Sequence, residues 1–111
     1  MKMLVNCTPH AITVRPSDGD GVTIPPSGIV PRVTVTTVAD GEIEGLPVVR
    51  TTFGQVEGLP DPETGIWLIV SSVVLTALVG TRPDCLAPDT SPASAIRDDG
   101  GRIIAVRRLT R

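Results

Sequence analysis

Aromatic and histidine side chains are scarce in this 111-residue chain, which has one Phe, one Trp, one His and no Tyr. Its core must therefore be built from Val, Ile and Leu, and such a small core is marginal by itself. We expect a homo-oligomer for that reason. A single His with two Cys does not supply the ligands of a structural zinc site, so we expect neither a metal nor a cofactor.

Strong charge of either sign is also missing, because the formal net charge is −2. Proteins that bind long nucleic acids or membrane surfaces normally carry a basic field, so both classes are excluded. With 41% apolar and 20% charged residues, the chain is expected to fold as a single globular domain over residues 1–111.

Long hydrophobic segments are absent as well. Residues 1–10 lack the apolar part of a secretory signal. The longest apolar stretch, within residues 65–80, is about 15 residues long and is interrupted by Ser71-Ser72, whereas a bilayer span needs roughly 20. We therefore predict a cytoplasmic protein whose Cys7 and Cys85 are free and buried.

Catalytic and phosphate-binding signatures are not found in the sequence, which contains no GxSxG, HExxH, Walker or GxGxxG pattern. Cys7 lies near His10, but a strand residue and a corner residue need not face each other. We predict a non-enzymatic protein. A small enzyme that uses His10 is the less favoured alternative.

The rest of the chain is organised around residues 65–80, GIWLIVSSVVLTALVG. The consecutive apolar residues 66–70 predict a strand that is buried on both faces. Ser71 or Ser72 supplies an N-cap for a short helix over residues 73–79, and Gly80 stands where a C′ glycine would end that helix.

Short β segments surround this centre. Apolar–polar alternation and β-branched residues predict strands at 3–7, 11–15, 22–24, 29–38, 48–53, 94–97 and 102–109. Turns are predicted at 16–21, 40–41 and 98–101, and a proline-rich functional loop at 81–93. The predicted fold is mainly β with one short helix (α+β): a small antiparallel or mixed sheet or half-barrel, a helix after the central strand, and a C-terminal β-hairpin.

An anion site is predicted where the central strand meets the helix. Backbone N–H groups at a helix start, joined by the hydroxyls of Ser71 and Ser72, suit a phosphate or carboxylate. The residues that would complete this site, if they converge on it, are Arg50, Thr51, Thr52, Arg82 and Asp84. The alternative interpretation is ordinary helix capping beside solvated arginines.

The segment Asn6-Cys7-Thr8-Pro9-His10-Ala11-Ile12 resembles the N(L)TPHxI opening of small proteins encoded in bacteriophages and prophages, with Cys7 in place of the usual leucine. Further likenesses follow in the same order at Arg50-Thr51-Thr52-Phe53-Gly54, Ile69-Val70-Ser71, Arg82-Pro83-Asp84, Ala87-Pro88-Asp89 and Val106-Arg107. The resemblance implies a phage accessory protein in a host bacterial cell. By analogy, such proteins without catalytic motifs include sponges, which sequester nucleotide signals of bacterial immunity.

The leading hypothesis is therefore a non-enzymatic, oligomeric phage protein that binds a small anionic, nucleotide-type ligand in an anti-defence role. Arg50 and Arg82 would pair with phosphates, and Ser71 and Ser72 would donate hydrogen bonds. Further ligand contacts, including those that select the sugar or base, are assigned to Thr8, His10, Thr52, Asp84 and Asp89. The alternative is a protein-interaction or virion accessory module that uses its sheet edges and the loop at 81–93.

Overall fold

The computed structural model describes residues 3–16 and 20–111, and it confirms a mainly β chain with one short helix. The elements in chain order are β1 Met3–Asn6, β2 Ile12–Val14, β3 Val22–Ile24, β4 Arg32–Ile43, β5 Leu46–Glu57, β6 Ile66–Ile69, α1 Ser72–Leu78, β7 Cys85–Pro88, β8 Ala95–Arg97, β9 Ile103–Val106 and β10 Leu109–Thr110. The predicted turn at 16–21 includes residues 17–19, which lie outside the described part.

The strands form three sheets. One has the order β1-β6-β7-β10, with β1, β6 and β7 parallel and β10 antiparallel to β7. The second has the order β3-β2-β9-β8, in which β2 and β9 are parallel and the other pairs are antiparallel. The third is the β4–β5 hairpin. Sheets of mixed direction agree with the predicted fold class.

The central strand β6 lies between β1 and β7, which explains its continuous apolar sequence. Its Ile69 and the following Val70 are completely buried. Helix α1 begins at Ser72 and packs Val74 into the core beside Leu68. Ser71 is its N-cap, and Gly80 has a φ of 73°, as a C′ glycine requires. The predicted strand and helix are both confirmed, with boundaries displaced by one residue.

The prediction of a loop over residues 81–93 is wrong in its middle, because Cys85–Pro88 forms strand β7. The Leu68 and Val70 amides donate to the carbonyls of Asp84 and Leu86, at 2.8 and 2.7 Å. Pro88 is the last residue of β7, where its missing N–H removes little from the ladder. The prolines in residues 81–93 favour a loop, but pairing with β6 stabilises a short strand there.

The predicted turn at Asp40-Gly41 is also wrong. Strand β4 continues to Ile43, and the chain reverses at Glu44-Gly45, whose φ values are 52° and 80°. Two positive φ angles in a two-residue loop are typical of a type I′ hairpin. Gly41, with a φ of 83°, lies at an irregularity in the ladder between Ala39 and Glu42. The two strands are consequently longer than predicted.

The C-terminal hairpin is confirmed, but the strand predicted over 102–109 is wrong in its extent, because β9 ends at Val106 and Leu109–Thr110 forms the separate strand β10, which pairs with β7. Strands β8 and β9 form the expected C-terminal hairpin, with Gly101 at a φ of 84° in its turn. Cys7 and Cys85 are free and buried. None of the helices in the described residues is long and apolar enough to cross a bilayer.

Candidate functional site

Three neighbouring cavities share Arg111 as a lining residue. The largest, of about 440 Å³, is lined by apolar Met3, Leu4, Trp67 and Leu86 besides Arg111. The other two have volumes of about 270 and 250 Å³ and include Arg82 and Asp84 respectively. We call this region, defined by Trp67, Arg82, Asp84, Leu86 and Arg111, the Arg111 groove.

Trp67 and Arg111 lie close together because two strands of the first sheet place them on the same side. Trp67 lies in β6 directly opposite Leu4 of β1. Thr110 pairs with Ala87, which brings Arg111 alongside β7. The Arg111 guanidinium carbon lies 5.8 Å from the centre of the Trp67 ring. This is the distance range of a cation–π contact, in which the guanidinium stays open to further hydrogen bonds.

Arg82 and Asp84 form a two-bond ion pair just before β7. Arg82 Nε donates to Asp84 Oδ1 at 3.0 Å, and Nη2 donates to Oδ2 at 2.9 Å. Nη2 also donates to the Pro60 carbonyl at 2.7 Å. Within the described residues Nη1 donates no hydrogen bond, so part of this oriented guanidinium is available to an incoming anion.

The charges of this pair are stabilised in the folded protein. The hydrogen bond from Arg82 is the largest cause of a lowered pKa at Asp84, and it raises the pKa of Arg82 against the opposing effect of burial. Both groups are therefore ionised at neutral pH. Asp84 fixes the orientation of Arg82.

The buried cysteines do not provide a nucleophile. Burial, followed by the charge of Asp84, raises the pKa of Cys85 to about 11. Burial also raises the pKa of Cys7, against a smaller opposing effect of a hydrogen bond with Ser27. Thiolates are the reactive form, so both cysteines are poorly reactive at neutral pH. Cys7 is buried and His10 is exposed, which argues against a working Cys–His pair.

The N-terminal motif forms a polar corner centred on Asn6, which is only 1% exposed. Its amide nitrogen donates to the carbonyls of His10 and Ile24, at 2.8 and 2.9 Å. Its Oδ1 accepts from the Thr8 amide at 2.9 Å and lies 2.6 Å from the Thr8 hydroxyl. That hydroxyl is also 2.9 Å from the His10 carbonyl. The motif thus serves the fold, and the Thr8 hydroxyl assigned to a ligand has partners within the protein.

Sequence reasoning missed Asn6, although a signal was present. An Asn followed two residues later by Thr and then Pro is typical of a side-chain-capped turn. The His10 side chain lies at the exposed end of this corner.

Of the two serines at the helix start, Ser71 caps the helix with its side chain. Ser71 Oγ accepts from the Val74 amide at 3.2 Å. Ser72 is the first residue of the seven-residue helix, and its carbonyl accepts from Thr76 Oγ1 at 2.9 Å. For Ser71 this is the ordinary capping arrangement considered as the alternative.

The other predicted contacts lie elsewhere. Arg50 is exposed in the hairpin opposite Val38, and Thr52 Oγ1 is 2.6 Å from Thr36 Oγ1 across the same hairpin. Asp89 follows β7 and pairs with Arg108 at 2.5 Å. That pairing is the largest cause lowering the pKa of Asp89 to about 2.

The structure does not bring all the predicted site residues together. Thr8, Ser71 and Asp89 follow the carboxyl ends of parallel strands β1, β6 and β7. Arg82 and Asp84 precede β7 and lie at the opposite edge, while Arg50 and Thr52 belong to β5 of the hairpin, a separate sheet. Only the Arg82–Asp84 pair belongs to the Arg111 groove.

Trp67 and Arg111 were not assigned to the site from sequence. The sole Trp in the central strand and the arginines near the end of the sequence were visible, but nothing local indicated that they meet. Within residues 3–16 and 20–111, no cluster of three or more His, Cys, Asp or Glu side chains is placed to hold a metal ion. Comparisons with protein-family models, curated proteins and solved structures give no match to this chain.

Proposed function

We propose that this chain is a non-enzymatic protein that binds a small anionic, nucleotide-type ligand in the Arg111 groove. The observation that carries the proposal is the Arg111 guanidinium 5.8 Å from the Trp67 ring at a cavity of about 440 Å³. An aromatic ring beside an arginine offers a nucleotide both a stacking surface and a phosphate partner.

The groove has an apolar part suited to a base and guanidinium groups suited to phosphates, as a nucleotide requires. Met3, Leu4 and Leu86 line the same cavity as Trp67 and provide an apolar environment for a base. Arg111 pairs with a phosphate from the cavity mouth. Arg82, oriented by Asp84, supplies a second guanidinium in the adjoining cavity through its Nη1 group.

The two cysteines offer no reactive thiolate to a bound ligand. Both cysteines are protonated at neutral pH, since burial raises their pKa values. Retention of an intact ligand is then the expected outcome. Together with the resemblance to small phage proteins, this supports a sponge that sequesters a nucleotide signal of bacterial immunity.

Trp67 makes the proposal directly testable because it is the single Trp of the chain. The protein is titrated with cyclic nucleotides and adenosine-diphosphate-ribose derivatives while Trp fluorescence and melting temperature are recorded. We expect at least one compound to change the fluorescence and raise the melting temperature. A panel in which no compound does either would refute the proposal.

Two variants locate the site. Arg111→Gln is expected to weaken binding at least tenfold, because it removes a charged phosphate partner. Arg102→Gln, in the exposed C-terminal hairpin, is the matched control and should bind as the parent does. Equal affinity of both variants would exclude the Arg111 groove as the binding site, even if a nucleotide binds elsewhere.

A further inference from the structure

The three cavities of the Arg111 groove differ in the chemistry of their linings. The cavity of about 440 Å³ is apolar apart from Arg111. The cavity of about 270 Å³ is lined by Arg82 as well as Arg111 and contains no acidic residue. The cavity of about 250 Å³ is lined by two acidic residues, Glu63 and Asp84, beside Arg111. We call them the apolar, basic and acidic cavities.

The acidic cavity lies between the other two. It shares Trp67 with the apolar cavity and Pro83 with the basic cavity, whereas those two have only Arg111 in common. The order along the groove is therefore apolar, acidic, basic. The covalent structure of a nucleotide has a matching order, since its sugar joins an aromatic base to anionic phosphates. The acidic cavity thus corresponds to the sugar.

Glu63 reaches the groove from a turn that directly precedes β6. Its carbonyl accepts from the Ile66 amide at 3.1 Å, and Gly65 within this turn has a φ of 82°. The Gly65 carbonyl accepts in addition from the Met3 amide of β1 at 2.8 Å. The turn is therefore fixed to two strands of the first sheet, and it holds the backbone of Glu63 next to the start of the strand that carries Trp67.

The two carboxylates of the acidic cavity are not equally available. Both oxygens of Asp84 accept from Arg82, at 3.0 and 2.9 Å. Glu63 is exposed, and within residues 3–16 and 20–111 its carboxylate accepts no hydrogen bond and forms no ion pair. The middle of the groove therefore presents one carboxylate whose acceptor oxygens are open to a ligand.

A carboxylate at this position selects among the parts of a nucleotide. It has two acceptor oxygens and no donor, so it accepts hydrogen bonds from hydroxyl groups and repels phosphates. The 2′ and 3′ hydroxyls of ribose are two adjacent donors that one carboxylate can accept together. For the same reason, an acidic side chain binds the ribose hydroxyl in many dinucleotide sites.

We propose that Glu63 selects the sugar, so that the Arg111 groove takes a ribonucleotide whose 2′ and 3′ hydroxyls are both free. This inference rests on the nucleotide-type ligand proposed above and narrows its class. The base lies beside Trp67, the ribose against Glu63, and the phosphates between Arg82 and Arg111. Nucleotides with a phosphate on the 2′ or 3′ oxygen, including 3′,5′-cyclic nucleotides, are rejected because that phosphate faces Glu63.

Reversal of the charge at Glu63 gives a specific test. The parent is expected to bind ADP-ribose roughly tenfold more tightly than 2′-phospho-ADP-ribose, because the added phosphate is repelled. Glu63→Lys should reverse this preference, since an ammonium group pairs with the added phosphate and cannot accept from the hydroxyls. Glu42→Lys makes the same charge change in the hairpin, outside the groove, and should keep the preference of the parent.

Isothermal titration calorimetry with these two probes and the panel of cyclic nucleotides reads out the result. A preference for ADP-ribose that is reversed in Glu63→Lys alone supports the assignment. Equal affinity of the parent for the two probes, binding of cyclic nucleotides only, or the same preference in Glu63→Lys and Glu42→Lys would each overturn it, while the nucleotide-binding function would stand. A parent that binds no nucleotide at all removes both proposals.

Discussion

The first sheet and the β4–β5 hairpin differ in how deeply their strands are buried. The four-residue strands β6 and β7 lie within a sheet, and their Ile69, Cys85 and Ala87 are completely buried. The hairpin strands are three times as long, yet most of their residues are exposed. Stability therefore resides in the short strands.

This difference also separates the Arg111 groove from the hairpin. The Arg111 groove is formed by residues in or beside the first sheet, and Asp84 orients the Arg82 guanidinium there. The β4–β5 hairpin, by contrast, is a two-stranded sheet, so each of its strands has one unpaired edge in the described residues. Substitutions in the two regions should consequently affect different measurements.

Asn6→Ala tests the polar part of the core and is expected to have the largest effect. It removes the partners of two carbonyls and an amide in a buried corner. We expect the free energy of unfolding to fall by about 3 kcal/mol, from the penalty of unsatisfied buried groups. Urea denaturation measures this change.

Thr52→Val is the hairpin counterpart of that substitution, since it removes the exposed hydrogen bond to Thr36. Water replaces the lost partner, so the loss should be about 0.5 kcal/mol. Comparable losses for the two variants would show that the corner and the hairpin are equally important for stability.

A matched pair of valines tests how much apolar side chains contribute to stability in the buried sheet and in the hairpin. Val70→Ala creates a cavity at a completely buried site and should cost about 2.5 kcal/mol. Val38→Ala removes the same atoms from the exposed side of the hairpin and should change stability by less than about 0.5 kcal/mol. If Val38→Ala were the more destabilising of the two in urea melts, the assignment of stability to the short strands would be wrong.

Alkaline pH should weaken the core through Cys85. Its folded pKa of about 11 lies above the usual thiol value, so the unfolded chain loses its proton first as the pH rises. Stability should fall between about pH 9 and 11, by about 2 kcal/mol in total. Cys85→Ala should remove most of this loss, whereas Val38→Ala should leave it unchanged. A parent whose stability is constant over that range contradicts the assignment.

Local sequence patterns predicted the parts of the fold that depend on neighbours in the chain. The apolar run ending at Val70, the Ser71 cap and Gly80 specified the strand, the helix and its end. The Asp-Gly and Gly-Gly steps near residue 100 specified the C-terminal hairpin in the same way. Each of these signals acts over a few residues.

The errors arose where a distant partner decides the structure. Strand β7 depends on pairing with β6, which no pattern within residues 81–93 reveals. Asp40-Gly41 carried the local turn signal, but the register of the β4–β5 ladder places the turn at Glu44-Gly45. The contact between Trp67 and Arg111 likewise depends on the positions of β6 and β10 in one sheet. Arg82 and Asp84 could be found because they are close in sequence.

The parallel pairing of β2 with β9, at Val14 and Val106, sets a limit on how early this chain can fold. Strand β2 emerges from the ribosome long before its partner, and β1 likewise waits for β6. Sheets closed by such distant segments form slowly, because chain entropy is lost before the contacts compensate for it. During synthesis the apolar N-terminal strands would be exposed, which makes this stage the natural point for chaperone binding or for aggregation.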